Sequence, residues 1–206
     1  MEKNIGTIKK YLGDGSINVF GLPFSGKDTV GKHLADDLGA VLLSSGDILR
    51  SAQESDDDLS SEMNSGKLAD TDKFREIVLP YFSNSRLANL PLVLSSVGRW
   101  SGEEIPVQEA LSKAQHELKA VIWLDISEAE VWQRWETART LADRGQRGDD
   151  NDEETLSRRL SEFSEKTLPV LTYYDKIGLL IKINGIGTRE EVYNRVIEGL
   201  VSHVLA

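Results

Sequence analysis

The amino-acid sequence predicts an α/β fold with one five-stranded parallel sheet and flanking helices. Short apolar runs alternate with longer stretches of helical periodicity, and this alternation is typical of parallel strands joined by crossover helices. At 206 residues the chain is long enough to bury a sizeable core, so we expect a single domain over 1–206. The strands are predicted at 17–20, 41–43, 92–94, 121–124 and 179–183.

Helices are predicted between and after these strands. The helix at 27–38 has one apolar stripe, and the helix that begins at Ser127 opens with capping-box spacing between Ser127 and Glu130. Trp132 and Trp135 belong to the apolar stripe of that second helix, where we expect core packing. The remaining helices are predicted at 46–53, at 71–82, from 153 onward with a pause near Pro169, and at 188–204.

Residues 45–84 are predicted to form a helical insertion between the second and third strands. About a dozen residues suffice for a crossover between parallel strands, so this stretch is far longer than a simple connection requires. Residues 142–152, with the sequence ADRGQRGDDND, are polar and contain glycine, which indicates a loop.

Charge and composition exclude several classes of function. The formal net charge of −10 at pH 7 repels a phosphate backbone, so no nucleic-acid polymer is expected as a partner. The chain has no cysteine, which excludes disulfides and thiolate metal sites. No segment is long and apolar enough to span a bilayer, and residues 1–16 lack the apolar core of a signal peptide. We therefore expect a cytoplasmic protein with no membrane partner; a small anionic ligand stays compatible, because basic residues can converge locally.

The stretch VFGLPFSGKDT, residues 19–29, has the spacing of a phosphate-binding loop. Gly21 and Gly26 are separated by four residues, and Lys27 follows directly. The stretch begins in the first predicted strand and opens into a helix, which presents backbone N–H groups and a positive helix end to phosphate. Lys27 would reach the terminal phosphates of a nucleoside triphosphate. The residues expected to bind this ligand are Gly21, Pro23, Ser25, Gly26, Lys27, Asp28 and Thr29.

At these residues the chain resembles the nucleoside monophosphate kinase family, adenylate kinase above all. The family's loop also has the proline and Gly-Lys-x-Thr, whereas Phe24 and Asp28 stand here where the family has glycine. Further motifs follow in the family's order over nearly the whole chain. They are SSGDILR at 44–50, SGKLADTDKF at 65–74, VGR at 97–99, RGDDNDEETLSRRL at 147–160 and KTLPVLTYY at 166–174.

The resemblance implies a P-loop NTPase-type fold and a phosphotransferase reaction. The terminal phosphate of ATP would move to a nucleoside monophosphate with Mg²⁺ present, while 45–84 binds the acceptor and 139–152 forms a short lid. Without cysteine this lid cannot carry zinc. Small lid-closing members of the family are usually monomeric, so we expect a monomer that binds nucleotides as its partners.

The resemblance also implies roles for individual basic residues. Arginine suits phosphoryl transfer because its planar guanidinium binds phosphate oxygens in pairs and stays charged. The residues implied to carry the reaction are Lys27, Arg50, Arg99, Arg147 and Arg159. Those implied to contact the donor at the lid are Arg134 and either Arg139 or Arg144. Those implied to bind the acceptor are Ser45, Gly46, Arg50, Leu68, Arg99 and Glu103.

One departure from the family concerns the metal. The family ends its third strand with an aspartate that helps to hold Mg²⁺, and the register set by Arg99 puts Ser95 at that position. Asp28 is an added carboxylate on the other side of the site, so we hypothesise that it replaces the missing charge. The alternative is that Asp28 only stabilises the helix N-terminus, by roughly a few tenths of a kcal/mol. Thr29 and Asp47 are the other residues expected near the metal.

A second departure concerns the acceptor base. The family commonly reads adenine with a glutamine four residues after the arginine, and here that position is Glu103. An ionised carboxylate accepts from the exocyclic amine of adenine or cytosine but cannot donate to a ring nitrogen. Glu103 alone therefore does not decide the acceptor. By family frequency the expected acceptor is AMP, and the alternative acceptors are CMP, UMP or a deoxynucleotide. Ser95 in place of the acid leaves a nucleotide-binding regulator without catalysis as a further alternative.

Overall fold

A computed structural model describes residues 2–46, 48–49, 71–141 and 152–206. Within these ranges the chain forms one five-stranded parallel sheet with helices on both faces. The strands are β1 (Ser16–Gly21), β2 (Val41–Ser44), β3 (Leu92–Ser95), β4 (Leu118–Asp125) and β5 (Leu180–Asn184), in the spatial order β2-β3-β1-β4-β5. Every strand pairs in parallel with its neighbours. The predicted sheet is confirmed, although β4 begins three residues before the start that the sequence predicts.

Helices connect and flank these strands. Within the described residues the α-helices are α1 (Glu2–Leu12), α2 (Lys27–Leu38), α3 (Thr71–Ile77), α4 (Glu104–Lys113), α5 (Glu128–Leu141), α6 (Glu153–Glu162), α7 (Leu168–Lys176) and α8 (Arg189–Leu205). Residues 45–46 and 48–49 are also helical. Ser127 Oγ accepts from the Glu130 N–H at 3.2 Å, as the capping-box spacing predicted, and Thr188, which was not predicted as a cap, forms a full capping box with Glu191.

Two predicted helices differ from the observed ones because of proline. The prediction at 71–82 is wrong beyond Ile77, where the chain continues as the 3₁₀ turn Leu79–Ser83. Pro80 has no N–H for an α-helical hydrogen bond and its ring clashes with the preceding turn. Near Pro169 the predicted pause is instead a π-helical turn, Phe163–Thr167, that leads directly into α7. The proline lies in the first turn of α7, where its missing N–H costs nothing.

The core has one layer on each face of the sheet. Consecutive residues of β1 point to opposite faces, so Val19 packs with α1, α2 and α8, whereas Phe20 packs with α4, α5 and α7. Trp135 is 2% exposed in the second layer, and Trp132 packs edge-on against it with 5.5 Å between ring centroids. The expectation that these tryptophans pack in the core is confirmed. Among the described helices none is long and apolar enough to cross a membrane.

Helix α1 is an element that the sequence prediction missed. Ile8 and Leu12 are buried on its inner face, against α8 and α2. Tyr11 Oη donates to the Lys119 carbonyl at 3.2 Å and its ring edge meets His203. The helix therefore closes one edge of the first core layer and ties it to β4.

We expect Ile8→Ala to lower the free energy of unfolding by about 2–4 kcal/mol, because Ile8 is 1% exposed and the substitution leaves a cavity. Gly6→Ala is the matched control on the exposed side of the same helix, where an added Cβ meets nothing within 4 Å. It should raise the free energy of unfolding by about 0.5–1 kcal/mol through helix propensity. Urea unfolding monitored by circular dichroism measures both, and equal effects of the two variants would contradict the packing of α1.

Candidate active site

The candidate active site lies at the carboxyl ends of β1, β3 and β4. The sheet order places β1 between β3 and β4, so the connections that follow β1 and β3 leave the same edge side by side. In open parallel sheets a ligand crevice forms where neighbouring connections diverge to opposite faces. The phosphate-binding loop and the segment that carries Arg99 therefore lie next to each other at this edge.

The phosphate-binding loop has the geometry that its glycine spacing requires. A Cβ on Gly21 would collide with Ser25 Oγ and lie 3.0 Å from the Leu124 carbonyl. Gly26 is the N-cap of α2 at φ 89°, a left-handed conformation that favours glycine. Because a glycine N-cap has no side chain, no cap side chain competes with a phosphate for the first N–H groups of α2. Among described residues, Ser25 Oγ is buried without a hydrogen-bond partner and adds a further polar atom there.

Phe24 stands in this loop with a left-handed backbone, at φ 62°. A non-glycine residue in that region costs roughly 1–3 kcal/mol. Its side chain is 7% exposed and belongs to the larger core cluster, and burying a phenylalanine contributes about 1.5–3 kcal/mol. Burial therefore offsets the backbone strain, which explains how a bulky residue occupies a glycine position.

A cavity of about 650 Å³ lies beside the loop, in the size range of ligand pockets. It is lined by Gly26 and Thr29 of the loop region, by α5, and by residues 185–189. Arg134 forms part of its wall and makes three hydrogen bonds, to Glu130 Oε1 at 2.7 Å, the Phe24 carbonyl at 3.1 Å and the Gly185 carbonyl at 2.9 Å. The side chain thus joins the phosphate-binding loop to the connection that follows β5.

Arg139, one of the two candidates for the second lid arginine, occupies a different place from Arg134. The guanidinium of Arg139 lies 4.5 Å from the centroid of the Trp135 ring, within cation–π range. Arg139 is absent from the lining of the described cavity, whereas Ala138, one residue earlier, is present. In this conformation the structure gives no support to a donor contact by Arg139.

Asp28 and Ser95 are in direct contact. Ser95 Oγ donates a hydrogen bond of 2.8 Å to Asp28 Oδ1, although the two residues are 67 positions apart. Ser95 is the last residue of β3, 3% exposed, and pairs in register with Val19 of β1. The added carboxylate and the position of the missing acid therefore share one location.

Charged side chains converge around Arg99. Burial, followed by the nearby Arg159 cation, lowers the pKa of Arg99 to about 10, and Glu162, Glu103 and Asp28 oppose this shift. Arg99 stays protonated at neutral pH because this value is well above 7. The structure thus brings together two of the arginines implied to carry the reaction, close to Asp28.

Glu103 lies in the protein interior rather than at an open binding surface. Its side chain is 1% exposed at the N-terminus of α4, and its Oε2 accepts from the Trp100 N–H at 3.0 Å. Burial raises the pKa of this carboxyl, partly opposed by that backbone hydrogen bond. Protein atoms cover the carboxylate in this conformation, so the structure does not support its expected contact with an acceptor base.

Of the other residues predicted to bind the acceptor, the structure describes Ser45 and Gly46. Ser45 is buried and its Oγ donates to the Ser96 carbonyl at 2.7 Å, and Gly46 follows it in a helical backbone. The predictions for Asp47, Arg50, Leu68, Arg144 and Arg147 lie outside the described residues, as do most of the lid at 139–152 and a large part of the insertion at 45–84.

Two features near Arg99 were not predicted from the sequence. Asn18, in the middle of β1, bonds to the backbone of Val97; its signal was a polar residue inside an apolar strand. Lys166 lies 3.8 Å from the centroid of the Trp100 ring and 2.6 Å from Glu162 Oε2. Glu162 and Lys166 are four residues apart, but no local pattern indicates their contact with Trp100, which comes from the connection after β3.

The fold and the site define a P-loop phosphotransferase that acts on nucleotides. A phosphate-binding loop follows the central strand, a cavity of nucleotide size lies beside it, and Arg99, after β3, interacts electrostatically with Asp28 and with Arg159 of α6. Comparison with known proteins agrees. The model of the adenylate kinase family, described as "Adenylate kinase", matches residues 19–179, and this chain belongs to the adenylate kinase family.

Individual relatives extend the comparison. The chain is 32% identical over 180 residues to the adenylate kinase of Thermus thermophilus, covering 85% of this chain and 91% of that protein. It is 29% identical over 184 residues to that of Leptospira biflexa, covering 87% and 96%. With the adenylate kinase of a Synechococcus species it shares 32% identity over 193 residues, covering 85% and 93%. The resemblance stated from the motifs is confirmed, and the chain is a nucleoside monophosphate kinase. Helix α1 precedes the matched region.

We expect Glu103→Gln to raise the free energy of unfolding at neutral pH. A carboxyl whose pKa is raised by burial contributes its full stability below the reference pKa of 4.5 and loses it as pH rises through the folded-state value. Glutamine keeps the neutral form and the acceptor for Trp100 at every pH. The difference between variant and parent should therefore vanish in acid and reach a plateau above the raised pKa, as measured by urea unfolding across that range.

Glu109→Gln provides the control for this prediction. Glu109 is exposed on the same helix, so removing its charge should change the free energy of unfolding by less than about 0.5 kcal/mol. A constant difference between Glu103→Gln and the parent at all pH values would contradict the burial of an ionisable carboxyl at this position.

Proposed function

We propose that this protein transfers the terminal phosphate of ATP to AMP with Mg²⁺ as the metal. The observation that carries this proposal is the position of the phosphate-binding loop at the same edge of the sheet as Arg99, which interacts electrostatically with Asp28 and Arg159, in a chain of the adenylate kinase family. As the resemblance implies, we further propose that it acts as a monomer in the cytoplasm.

The donor nucleotide is proposed to bind along the phosphate-binding loop and in the adjacent cavity. The terminal phosphates would contact the first N–H groups of α2 and the ammonium of Lys27, the first residue of that helix. Ser25 Oγ offers a further polar contact. The nucleoside would occupy the cavity bounded by Arg134 and residues 185–189. Arg134 supports this arrangement by fixing both walls, because its guanidinium bonds to a carbonyl of each.

The acceptor phosphate is proposed to bind Arg99, and Arg159 is proposed to stabilise charge on the group in transfer. Phosphoryl transfer needs two substrates in line, little covalent help, and positive charge where negative charge develops. Repulsion between the two arginines and burial of Arg99 are only partly offset by Glu162, Glu103 and Asp28, because the pKa of Arg99 is still lowered to about 10. A phosphate placed between the two arginines would offset more of the repulsion, which makes this location favourable for a transferring group.

Residues that fit Mg²⁺ occur at the loop. Within the described part of the chain no cluster of three or more His, Asp or Glu side chains is placed to hold a metal by itself. Mg²⁺ in phosphoryl-transfer sites usually takes only one or two protein oxygens and several from substrate and water. The Asp28 carboxylate and the Thr29 hydroxyl are hard oxygen donors of this kind, and Thr29 lines the cavity. We propose that they hold the ion, which would neutralise charge on the donor phosphates. Asp47 stays a prediction.

Closure over the substrates is proposed to exclude water. The segments at 45–84 and 139–152 would cover the acceptor and the donor, and Arg50, Leu68 and Arg147 would act from them. Exclusion of water strengthens the contacts of Arg99 and Arg159 and limits hydrolysis of ATP.

A panel of acceptors with ATP and Mg²⁺ tests the reaction. We expect kcat/KM for AMP to exceed that for CMP, UMP and dAMP by about tenfold or more, since discrimination of that size needs only about 1.4 kcal/mol. A higher value for CMP or UMP would indicate a pyrimidine nucleotide kinase. Binding of ATP and AMP without transfer to any acceptor would indicate a regulator.

Two arginine variants serve as controls for the acceptor assay. Arg159→Ala, purified in the same way, should lose about 10³-fold or more in kcat, in the range seen when an arginine is removed from a phosphoryl-transfer site. Any activity that remains in the Arg159→Ala preparation therefore measures contaminating host kinase. Arg158→Ala removes the adjacent arginine, which pairs with the exposed Glu154 at 3.0 Å, and should keep kcat within a few-fold because surface ion pairs contribute little.

The contact between Asp28 and Ser95 gives a test of charge replacement. We expect Asp28→Ala to lower Mg²⁺-dependent kcat by about 10- to 100-fold while nucleotide affinity without Mg²⁺ changes by less than about threefold. The double variant Asp28→Ala/Ser95→Asp restores the carboxylate on the other side of the hydrogen bond, and should recover at least about tenfold in kcat. Equal losses of turnover and metal-free affinity, or no recovery in a folded double variant, would defeat the hypothesis.

A further inference from the structure

The segment 96–100, which carries Arg99, has an unusual backbone for a phosphate-binding element. Ser96 at φ 54° and Gly98 at φ 73° are both in the left-handed region, and no helix or strand includes the segment. Such a backbone is not held by its own ladder of hydrogen bonds, so its conformation depends on other elements.

Asn18 supplies two of the bonds that hold this segment. It lies in the middle of β1 with 0% exposure, between Ile17 and Val19. Its Nδ2 donates to the Val97 carbonyl at 2.8 Å, and the Val97 N–H donates to its Oδ1 at 3.3 Å. The carboxamide therefore pairs with both polar groups of one residue, as a neighbouring strand would. Burying an amide is unfavourable unless its polar atoms form hydrogen bonds. Both hydrogen bonds of Asn18 are made to the segment that carries Arg99.

Other side chains complete the attachment on either side of Arg99. Thr167, in the π-helical turn before α7, is 0% exposed and its Oγ1 donates to the Arg99 carbonyl at 3.2 Å. The Trp100 N–H is bound by Glu103, and the Ser96 carbonyl by Ser45. Backbone groups before, at and after Arg99 are thus held by four separate elements of the fold.

We propose that Asn18, assisted by Thr167, is a positioning residue that holds the backbone of Arg99 ready for the acceptor phosphate. This proposal rests on the proposed function of Arg99. Neither Asn18 nor Thr167 contacts a nucleotide in this scheme. Their effect is to fix the Arg99 backbone before substrate binds, so that binding does not have to order it.

The first test is Asn18→Leu, which keeps the approximate volume and removes both bonds to Val97. We expect kcat/KM for AMP to fall by about 10- to 100-fold, because small displacements of a phosphate-binding group have effects of that size. The loss should lie mainly in KM for AMP, and KM for ATP should stay within about twofold. An unchanged KM for AMP, or equal increases for both substrates, would overturn the proposal.

Ser16→Ala is the matched control. Ser16 is on the same strand, also 0% exposed, and its Oγ donates to the His116 carbonyl at 2.9 Å, at the end of β1 opposite the site. It loses a buried hydrogen bond to backbone as Asn18 does. It should lower the thermal unfolding midpoint but leave KM for AMP unchanged; an increase there matching that of Asn18→Leu would show a general loss of stability and contradict a positioning role.

A double-mutant cycle with Arg99→Ala separates this proposal from the proposed function. Arg99→Ala alone should raise KM for AMP, and adding Asn18→Leu should then have no further effect on it. No change in Arg99→Ala would overturn the role of Arg99, and with it that of Asn18. An undiminished effect of Asn18→Leu in the Arg99→Ala background would overturn the positioning role alone.

Thr167→Val keeps the proposal falsifiable if Asn18→Leu does not fold. Valine preserves the shape of threonine and removes only the bond to the Arg99 carbonyl. We expect KM for AMP to rise about threefold to tenfold with KM for ATP unchanged, a smaller effect because one bond is lost rather than two. A folded Thr167→Val enzyme with unaltered KM for AMP would count against the proposed attachment.

Discussion

The parallel pairing of β1 with β3 is the constraint on which the rest of this site depends. In this register Val19 lies beside Ser95, so both strands end at the same level and their connections emerge together. One connection becomes the phosphate-binding loop and the other carries Arg99. A slip of one residue would turn Asn18 out of contact with Val97, because neighbouring residues of a strand face opposite sides. The positions of the polar groups therefore follow from the packing of the sheet.

The protein brings two arginines together in a small, partly buried region of an acidic molecule. With a net charge of −10, its overall field does not attract nucleotides. Attraction has to come from short-range contacts in a site with little water, where charges interact more strongly than in solvent. Burial of Arg99 next to Arg159 is costly, and Glu162, Glu103 and Asp28 offset part of that cost. These acids therefore stabilise the cationic site while the molecule remains acidic.

Asp28 and Phe24 stand where the family's phosphate-binding loop has glycine, and tertiary contacts offset the unfavourable effect of each. Asp28 meets Ser95 across the site, and Phe24 fills the core while its carbonyl binds Arg134. Each residue would be unfavourable in isolation, since one adds charge beside phosphates and the other occupies a strained backbone. The compensations link the loop to β3 and α5, so the loop and its surroundings form one packed unit.

The sequence by itself determined the five strands and the phosphate-binding loop, because apolar periodicity and the spacing of Gly21 and Gly26 act over a few residues. Sequence periodicity did not predict α1, whose apolar residues are interrupted by lysines. It also placed the end of α3 at residue 82 instead of Ile77. Only the tertiary structure decided that Asp28 contacts Ser95 and that Asn18 holds the Arg99 segment. These contacts join residues 67 and 79 positions apart. Strand order and register set such contacts, and those depend on how the whole core packs.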